Sequence, residues 1–183
     1  MKALVSIITV NYNGLRDTCE MIDSFRNHET YPHYEIIVVD NGSRLPEAEE
    51  IQERYRGNLV PGGSLSGSPA SDNPVPFPPV KVVRNINNGF AGGNNAGLKT
   101  AGGDYLFFIN NDTLIKEPVL EALVRRMECD PQRNGGVSPM LKFAACPDIL
   151  QYAGFTPLSS LTLRNASIGF MQQDGPRFRT PCE

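Results

Sequence analysis

Continuous apolar runs, rather than alternating ones, mark the first two thirds of the chain. Leu4–Val10, Glu35–Asp40 with Ile36-Ile37-Val38-Val39 inside it, and Tyr105–Ile109 are the longest, and Val80–Arg84 is a shorter one. Apolar residues at consecutive positions predict strands covered on both faces, as in a parallel sheet. Between the runs the pattern changes to helical. Asp17 with Glu20 three residues on reads as a capping pair opening a helix with Ile22 and Phe25 on its inward face, broken near Tyr31-Pro32. Pro46 at a first-turn position predicts a polar-faced helix over Glu47–Tyr55. After Glu117-Pro118, Leu120, Leu123, Val124 and Met127 fall at i, i+3, i+4 and i+7. Val137–Phe143 reads as a further strand; beyond Cys146 the pattern weakens, and the last 20 residues carry little periodicity. Strands alternating with helices at this spacing predict an α/β fold with a right-handed, mostly parallel sheet flanked by helices, Rossmann-like in plan.

One segment does not fit that alternation. Fourteen of the 23 residues from Gly57 to Pro79 are Gly, Pro or Ser. It cannot bury enough apolar surface to offset its ordering entropy, so a flexible insertion is expected, with tolerance of extra length favoured over a lid. The expected organisation is one domain over 1–183, with this insertion at 57–79 and an acceptor-side region starting at 144–183. The final Thr180-Pro181-Cys182-Glu183 closes no element and reads as a truncation.

At 183 residues, 40% apolar and 20% charged, the chain suits a well-cored soluble domain. A net charge of −3 argues against a broad nucleic-acid footprint. No run is long enough to span a bilayer. Met1-Lys2-Ala3 leads straight into the first strand, so no signal peptide is expected. Cys19, Cys129, Cys146 and Cys182 lack CxxC spacing and read as free thiols, which favours the cytoplasm. Sequons at Asn41, Asn111 and Asn165 are then coincidental. His28 and His33 read as surface residues.

The chemistry gathers where the strands end. Asn11 and Tyr12 follow the first, Asp40 and Asn41 the second, a glycine- and asparagine-rich stretch from Gly89 to Asn95 the third, and Asn111 and Asp112 the fourth. Ligands of open α/β sheets bind at such carboxyl ends. Amides and carboxylates suit a nucleobase and ribose, and Tyr12 can pack on a base. Backbone N–H groups of a glycine-rich turn feeding a helix can take an anion. A carboxylate among oxygen-rich neighbours suits Mg²⁺ or Mn²⁺ shared with a diphosphate. A nucleotide-diphosphate compound is the expected ligand. The first βα turn, Asn11-Tyr12-Asn13-Gly14, has no GxGxxG, and no P-loop occurs, which excludes the common dinucleotide and NTPase fingerprints.

Four motifs in order then carry a resemblance: Val5–Asn13, Val39-Asp40-Asn41-Gly42-Ser43, Asn88–Gly97 and Asn110-Asn111-Asp112-Thr113. Together they resemble glycosyltransferase family 2, its rhamnosyltransferase-like subset above all, over about residues 3 to 142. The resemblance implies a GT-A nucleotide-diphospho-sugar fold and an inverting, metal-assisted transfer. The donor would be a UDP- or dTDP-linked sugar and the acceptor a glycan or lipid-linked saccharide of a bacterial polysaccharide or cell envelope. It assigns donor binding to Val10, Tyr12, Asp40, Asn41, Gly92, Gly93, Asn95 and Asn111, and the Mn²⁺ or Mg²⁺ to Asp112. The chain departs from the pattern in its acidic motif, where Asn110 and Asn111 replace carboxylates, and in the length of the 57–79 insertion. No counterpart of the family's general base precedes Glu183; Asp174 lacks the surrounding motif, and the base is expected beyond the chain's end. Peripheral association of the full-length protein with the inner face of the membrane fits the same reading. The alternative is a non-catalytic nucleotide-binding module of this fold. A nucleotidyltransferase is disfavoured by the missing glycine-rich, basic loop after strand one.

Overall fold

The computed structural model describes residues 2–56 and 78–178. The expected insertion therefore lies almost wholly outside the described residues, as does Cys182. Two compact units are present, Met1–Glu121 and Ala122–Glu183.

The first unit is built on four parallel strands in the order β3-β2-β1-β4. They are β1 (Val5–Asn11), β2 (Tyr34–Asp40), β3 (Val80–Arg84) and β4 (Tyr105–Phe108). The largely apolar strands β1 and β2 are the two central ones, and every residue of β2 is buried. Register aligns the strand ends: Asn11 pairs with Asp40, and Asp40 with Arg84. Strand β4 stops lower, with Phe108 opposite Ile8. The Ile109 amide still donates to the Ile8 carbonyl at 3.0 Å, so the chain continues upward and brings Asn111 level with Asn11.

Helices α1 (Leu15–His28) and α2 (Glu47–Arg54) cover one face, and α3 (Gly89–Leu98) the other. Helix α1 starts at Leu15 with Gly14 as its N-cap and no side-chain cap, so the Asp17/Glu20 pair does not cap it. Phe25 of α1 is fully buried and meets Tyr34 and Phe107 at ring-centroid distances of 6.2 and 6.4 Å. The stretch expected to be a glycine-rich turn is already helix, with Gly92, Gly93 and Asn95 all inside α3. Packing overrides the low helix propensity of glycine here. A Cβ on Gly97 would lie 2.6 Å from Ile8 Cγ2 and 3.0 Å from Val39 Cγ2, and one on Gly93 would lie 2.9 Å from Val10 Cγ1. The two glycines, one turn apart, let α3 lie directly on the side chains of β1 and β2.

At the opposite end of the sheet, Glu35 locks the turn before β4. Its Oε1 accepts from Ser6 Oγ at 2.7 Å and from the Gly102 amide at 2.9 Å, while its Oε2 pairs with Lys81 Nζ at 2.6 Å. The Ser6 hydroxyl in turn accepts from the Gly103 amide.

Helix α4 (Leu120–Cys129) starts later than Glu117-Pro118 suggested, because Glu29 Oε2 accepts the Val119 and Leu120 amides and sets the first turn there. In the second unit β5 is only Leu141–Phe143, shorter than the run from Val137, and it pairs antiparallel with β6 (Cys146–Tyr152). Strand β6 escaped the sequence pattern because only Leu150 in it is buried. Asp174 is ion-paired to Lys142 at 2.8 Å.

Two predictions follow from this packing. Burial alone would push the Glu35 carboxyl up, but its bonds to Lys81, Gly102 and Ser6 outweigh that and hold it below its ordinary value. A depressed folded-state pKa means stability that is complete above the unfolded pKa and lost as pH falls through the folded one. Urea midpoints should therefore drop more steeply below about pH 4.5 in the wild type than in Glu35→Gln; parallel acid limbs would contradict this. Gly97→Ala should lower stability by about 1–3 kcal/mol through overpacking against Ile8, despite the better helix propensity of alanine. Equilibrium urea unfolding reads this directly.

Candidate functional site

The carboxyl ends of β1, β2 and β4 carry a buried polar network on the α1/α2 face. Asn11 is its centre. Asn11 Oδ1 accepts from Thr18 Oγ1 at 2.7 Å, and Asn11 Nδ2 donates to Glu47 Oε2 at 2.8 Å and to Asp40 Oδ1 at 3.1 Å. Glu47 Oε2 also accepts the Gly14 amide, and Thr18 Oγ1 accepts from Asn111 Nδ2 at 3.1 Å. Ser43 Oγ donates to Asp40 and accepts the Asn13 amide. Asn13, at φ 52°, uses its own Oδ1 to take the Arg44 amide. Left-handed backbone is tolerated by asparagine better than by most side chains. The two loops after β1 and β2 are thereby tied together.

On the other face lies an open cleft of about 370 Å³, lined by Val10, Tyr12, Asn41, Asn87, Gly89, Phe90, Asn110, Asn111 and Asp112. The alternation of side chains along a strand explains the sorting. Asp40, 7% exposed, faces α1 and α2 and is engaged by Asn11 and Ser43. Its neighbour Asn41 faces α3 and borders the cleft.

Of the residues assigned to the donor from sequence, Val10, Tyr12, Asn41 and Asn111 meet in this cleft together with Asp112. Asp40, Gly92, Gly93 and Asn95 do not line it. Gly93 lies behind the wall, against Val10 and Asn41. Asn41 is only 3% exposed and its amide is occupied: Nδ2 faces the Gly89 carbonyl at 3.2 Å and Asn87 Oδ1 at 3.4 Å, and Oδ1 accepts from Asn85 Nδ2 at 2.8 Å. It shapes the turn from β3 into α3. His28 and His33 are exposed and outside the cleft lining.

Three residues escaped the sequence reading. Glu47 was assigned only a helix start, yet it is 6% exposed and binds both Asn11 and Gly14. Phe90, exposed and in the same lining as Tyr12, adds a second aromatic residue to the cleft. Asn87 is the most informative. Its Oδ1 accepts the Gly89 amide at 3.2 Å, which fixes that atom as the oxygen. The other arm of that amide is then an NH₂, carried by a residue that borders the cleft. The signal available in sequence was the asparagine-rich entry to the helix, Asn85-Ile86-Asn87-Asn88.

Among the described residues the lining holds one carboxylate, Asp112, and no basic side chain. Among the described residues no group of three or more His, Cys, Asp or Glu could hold a metal by itself. Any divalent ion at Asp112 would need further oxygen ligands from a bound diphosphate and water, the usual habit of Mg²⁺. The first turn of α3, with Gly89 and Phe90 on the cleft, presents the positive end of a helix to the same space. Among the described residues no helix is long and apolar enough to cross a membrane.

Comparison with known proteins gives the family and the fold. An uncharacterized glycosyltransferase of Haemophilus influenzae is 26% identical over 132 residues, 72% of this chain and 37% of that protein. The putative teichuronic acid biosynthesis glycosyltransferase TuaG of Bacillus subtilis is 28% identical over 169 residues, 82% of this chain and 56% of that one. The chain thus spans between about a third and just over half of the length of these relatives. Among solved structures, S. aureus TarS 1-349 in complex with UDP-GlcNAc matches with a TM-score of 0.53 at 19% identity, over 76% of this chain and 38% of that one. The mannosyltransferase PcManGT from Pyrobaculum calidifontis, in complex with GDP-Man and Mn²⁺, gives 0.51 at 18% identity, over 73% and 34%. The fold is that of the GT-A transferases. A family model described as glycosyl transferase family 2 matches residues 6–139, and the chain belongs to that family.

Proposed function

We propose that this chain is the donor-binding part of a glycosyltransferase that moves a sugar from a UDP- or dTDP-linked donor to a glycan or lipid-linked acceptor in cell-envelope polysaccharide synthesis. The observation that carries the reading is the convergence of Tyr12, Asn87, Phe90 and Asp112 on one cleft in a family 2 chain. Tyr12 and Phe90 offer faces for a planar base, a contact that is sequence-tolerant in other base-binding proteins. The Asn87 NH₂ suits a carbonyl oxygen on the base. Asp112 is the group that would hold a divalent ion, which when bound supplies charge neutralisation for the leaving diphosphate. The Mn²⁺ in the PcManGT complex and the UDP-GlcNAc in the TarS complex support this choice of ion and donor class.

In the proposed inverting step the acceptor hydroxyl oxygen attacks the anomeric carbon from the side opposite the diphosphate. Its proton passes to a carboxylate base, and the carbon–oxygen bond to the diphosphate breaks. The chain's own residues hold the donor for this step. The base is proposed to come from outside residues 1–183, since Asp174 is committed to Lys142. The name of TuaG supports an envelope polysaccharide as the acceptor class.

Calorimetric titration of UDP and dTDP, with and without Mn²⁺, tests the reading. Binding should require Mn²⁺ and fall at least tenfold in Asp112→Ala, or about 1.4 kcal/mol; metal-independent binding indifferent to this change would exclude the assigned ion site. Asn87→Asp keeps the oxygen that takes the Gly89 amide but removes the donor, and should weaken UDP binding by about 1–3 kcal/mol. An unchanged affinity would remove Asn87 from the base contact.

A further inference from the structure

On the α1/α2 side of the strand ends, one hydroxyl proton decides which way an amide points. Thr18 is fully buried in the first turn of α1, and its Oγ1 meets two amide side chains. Asn11 Nδ2 donates to the carboxylates of Glu47 and Asp40, so the atom facing Thr18 is the Asn11 oxygen, which can only accept. The single proton of the Thr18 hydroxyl is therefore spent on Asn11, at 2.7 Å. Toward Asn111, at 3.1 Å, Thr18 has only lone pairs left, and its partner there has to bring a proton. Asn111 brings it with its NH₂. The other arm of that amide is then the carbonyl oxygen, carried by a residue that lines the cleft together with Asp112. A carboxylate at 111 would set acceptor against acceptor across the same gap, a physical reason for asparagine at this position.

A second observation concerns the room around that NH₂. A Cβ on Gly14, the N-cap of α1, would lie 2.7 Å from Asn111 Nδ2, but at an ordinary contact distance of 3.5 Å from Asn11 Oδ1. Gly14 has φ −131°, outside the left-handed region that favours glycine. The seat of the Asn111 amide, rather than the backbone, calls for glycine here. A methyl group at 14 would displace the end of the Asn111 side chain and leave the bonds of Asn11 in place. Thr18 supplies the acceptor for the amide, and Gly14 the space.

We propose that Thr18 and Gly14 are positioning residues for the ligand of the cleft: they seat the Asn111 amide with its NH₂ inward, so that the group offered next to Asp112 is an oxygen acceptor. The proposal rests on the donor reading above. Titration of the full chain with UDP at saturating Mn²⁺ tests it. Gly14→Ala should weaken binding about fivefold or more with little change in the thermal midpoint, because the Asn11 network is untouched. Thr18→Val should weaken it as much and also lower the midpoint, since Asn11 loses the Thr18 donor; Thr18→Ser, which keeps the hydroxyl, should restore both. In an Asn111→Ala background, where the amide is gone, Gly14→Ala and Thr18→Val should cost no further affinity. Wild-type affinity in Gly14→Ala, or losses undiminished in the Asn111→Ala background, would overturn the proposal. If the wild type itself binds neither UDP nor dTDP, the donor reading fails, and the seat is judged without a ligand. The Asn111 side-chain amide resonances of ¹⁵N-labelled protein, identified by their loss in Asn111→Ala, should hold their shifts in Thr18→Ser and move in Thr18→Val and Gly14→Ala. Resonances that stay put in both would overturn the seat independently of any nucleotide.

Discussion

The site depends on how one buried amide is satisfied. Asn11 sits at the end of the central strand with no exposure to water, so both halves of its amide must find partners within the protein. Thr18 supplies the donor, Glu47 and Asp40 the acceptors, and Asn111 reaches the cluster through Thr18. Three stretches remote in sequence, 11–18, 40–47 and the turn at Asn111, are thereby fixed at one height above the sheet. Polar networks of this kind allow little tolerance: fully paired they rigidify, and partly paired they are costly. The loops bearing Tyr12 and Asp112 inherit their positions from that requirement.

The same strand ends serve two purposes because a strand presents alternate residues to opposite faces. Asp40 goes to the network and Asn41 to the cleft wall, although they are neighbours in sequence. Asn11 and Tyr12 divide in the same way. A family motif read as a continuous string of ligand contacts is therefore split here, one part holding the loops together and the other bordering the cleft.

Much of this was legible in the sequence. Largely apolar runs announced β1 and β2 as central parallel strands, and their stop at Asp40, with that at Asn110-Asn111-Asp112, marked the end of the sheet at which the cleft lies. What was missed has physical causes. Glycine at 92 and 93 argued for a turn, whereas the close approach of Gly93 to Val10 and of Gly97 to Ile8 made helix the better solution. The role of Glu47 could not be read from its place in a polar helix, because its burial is set by Asn11, 36 residues away. Strand β6 was invisible since its outward residues are polar or half-exposed and only Leu150 carries the apolar signal. Asn87 was hidden between two other asparagines, Asn85 and Asn88, and the backbone donor at Gly89 distinguishes its oxygen from its nitrogen.

With glycine at 93 and 97 and the single methyl of Ala96 beside them, α3 brings almost no side-chain layer of its own to the sheet. The distance between helix axis and sheet is then a direct readout of the methyl groups of Ile8, Val10 and Val39. Since Gly89 and Phe90 ride on the first turn of that helix, the aperture of the cleft is calibrated from inside the core. Divergence in ligand size among chains of this fold need not touch a ligand-facing residue at all: exchanging valine for isoleucine or alanine beneath α3 would move the rim.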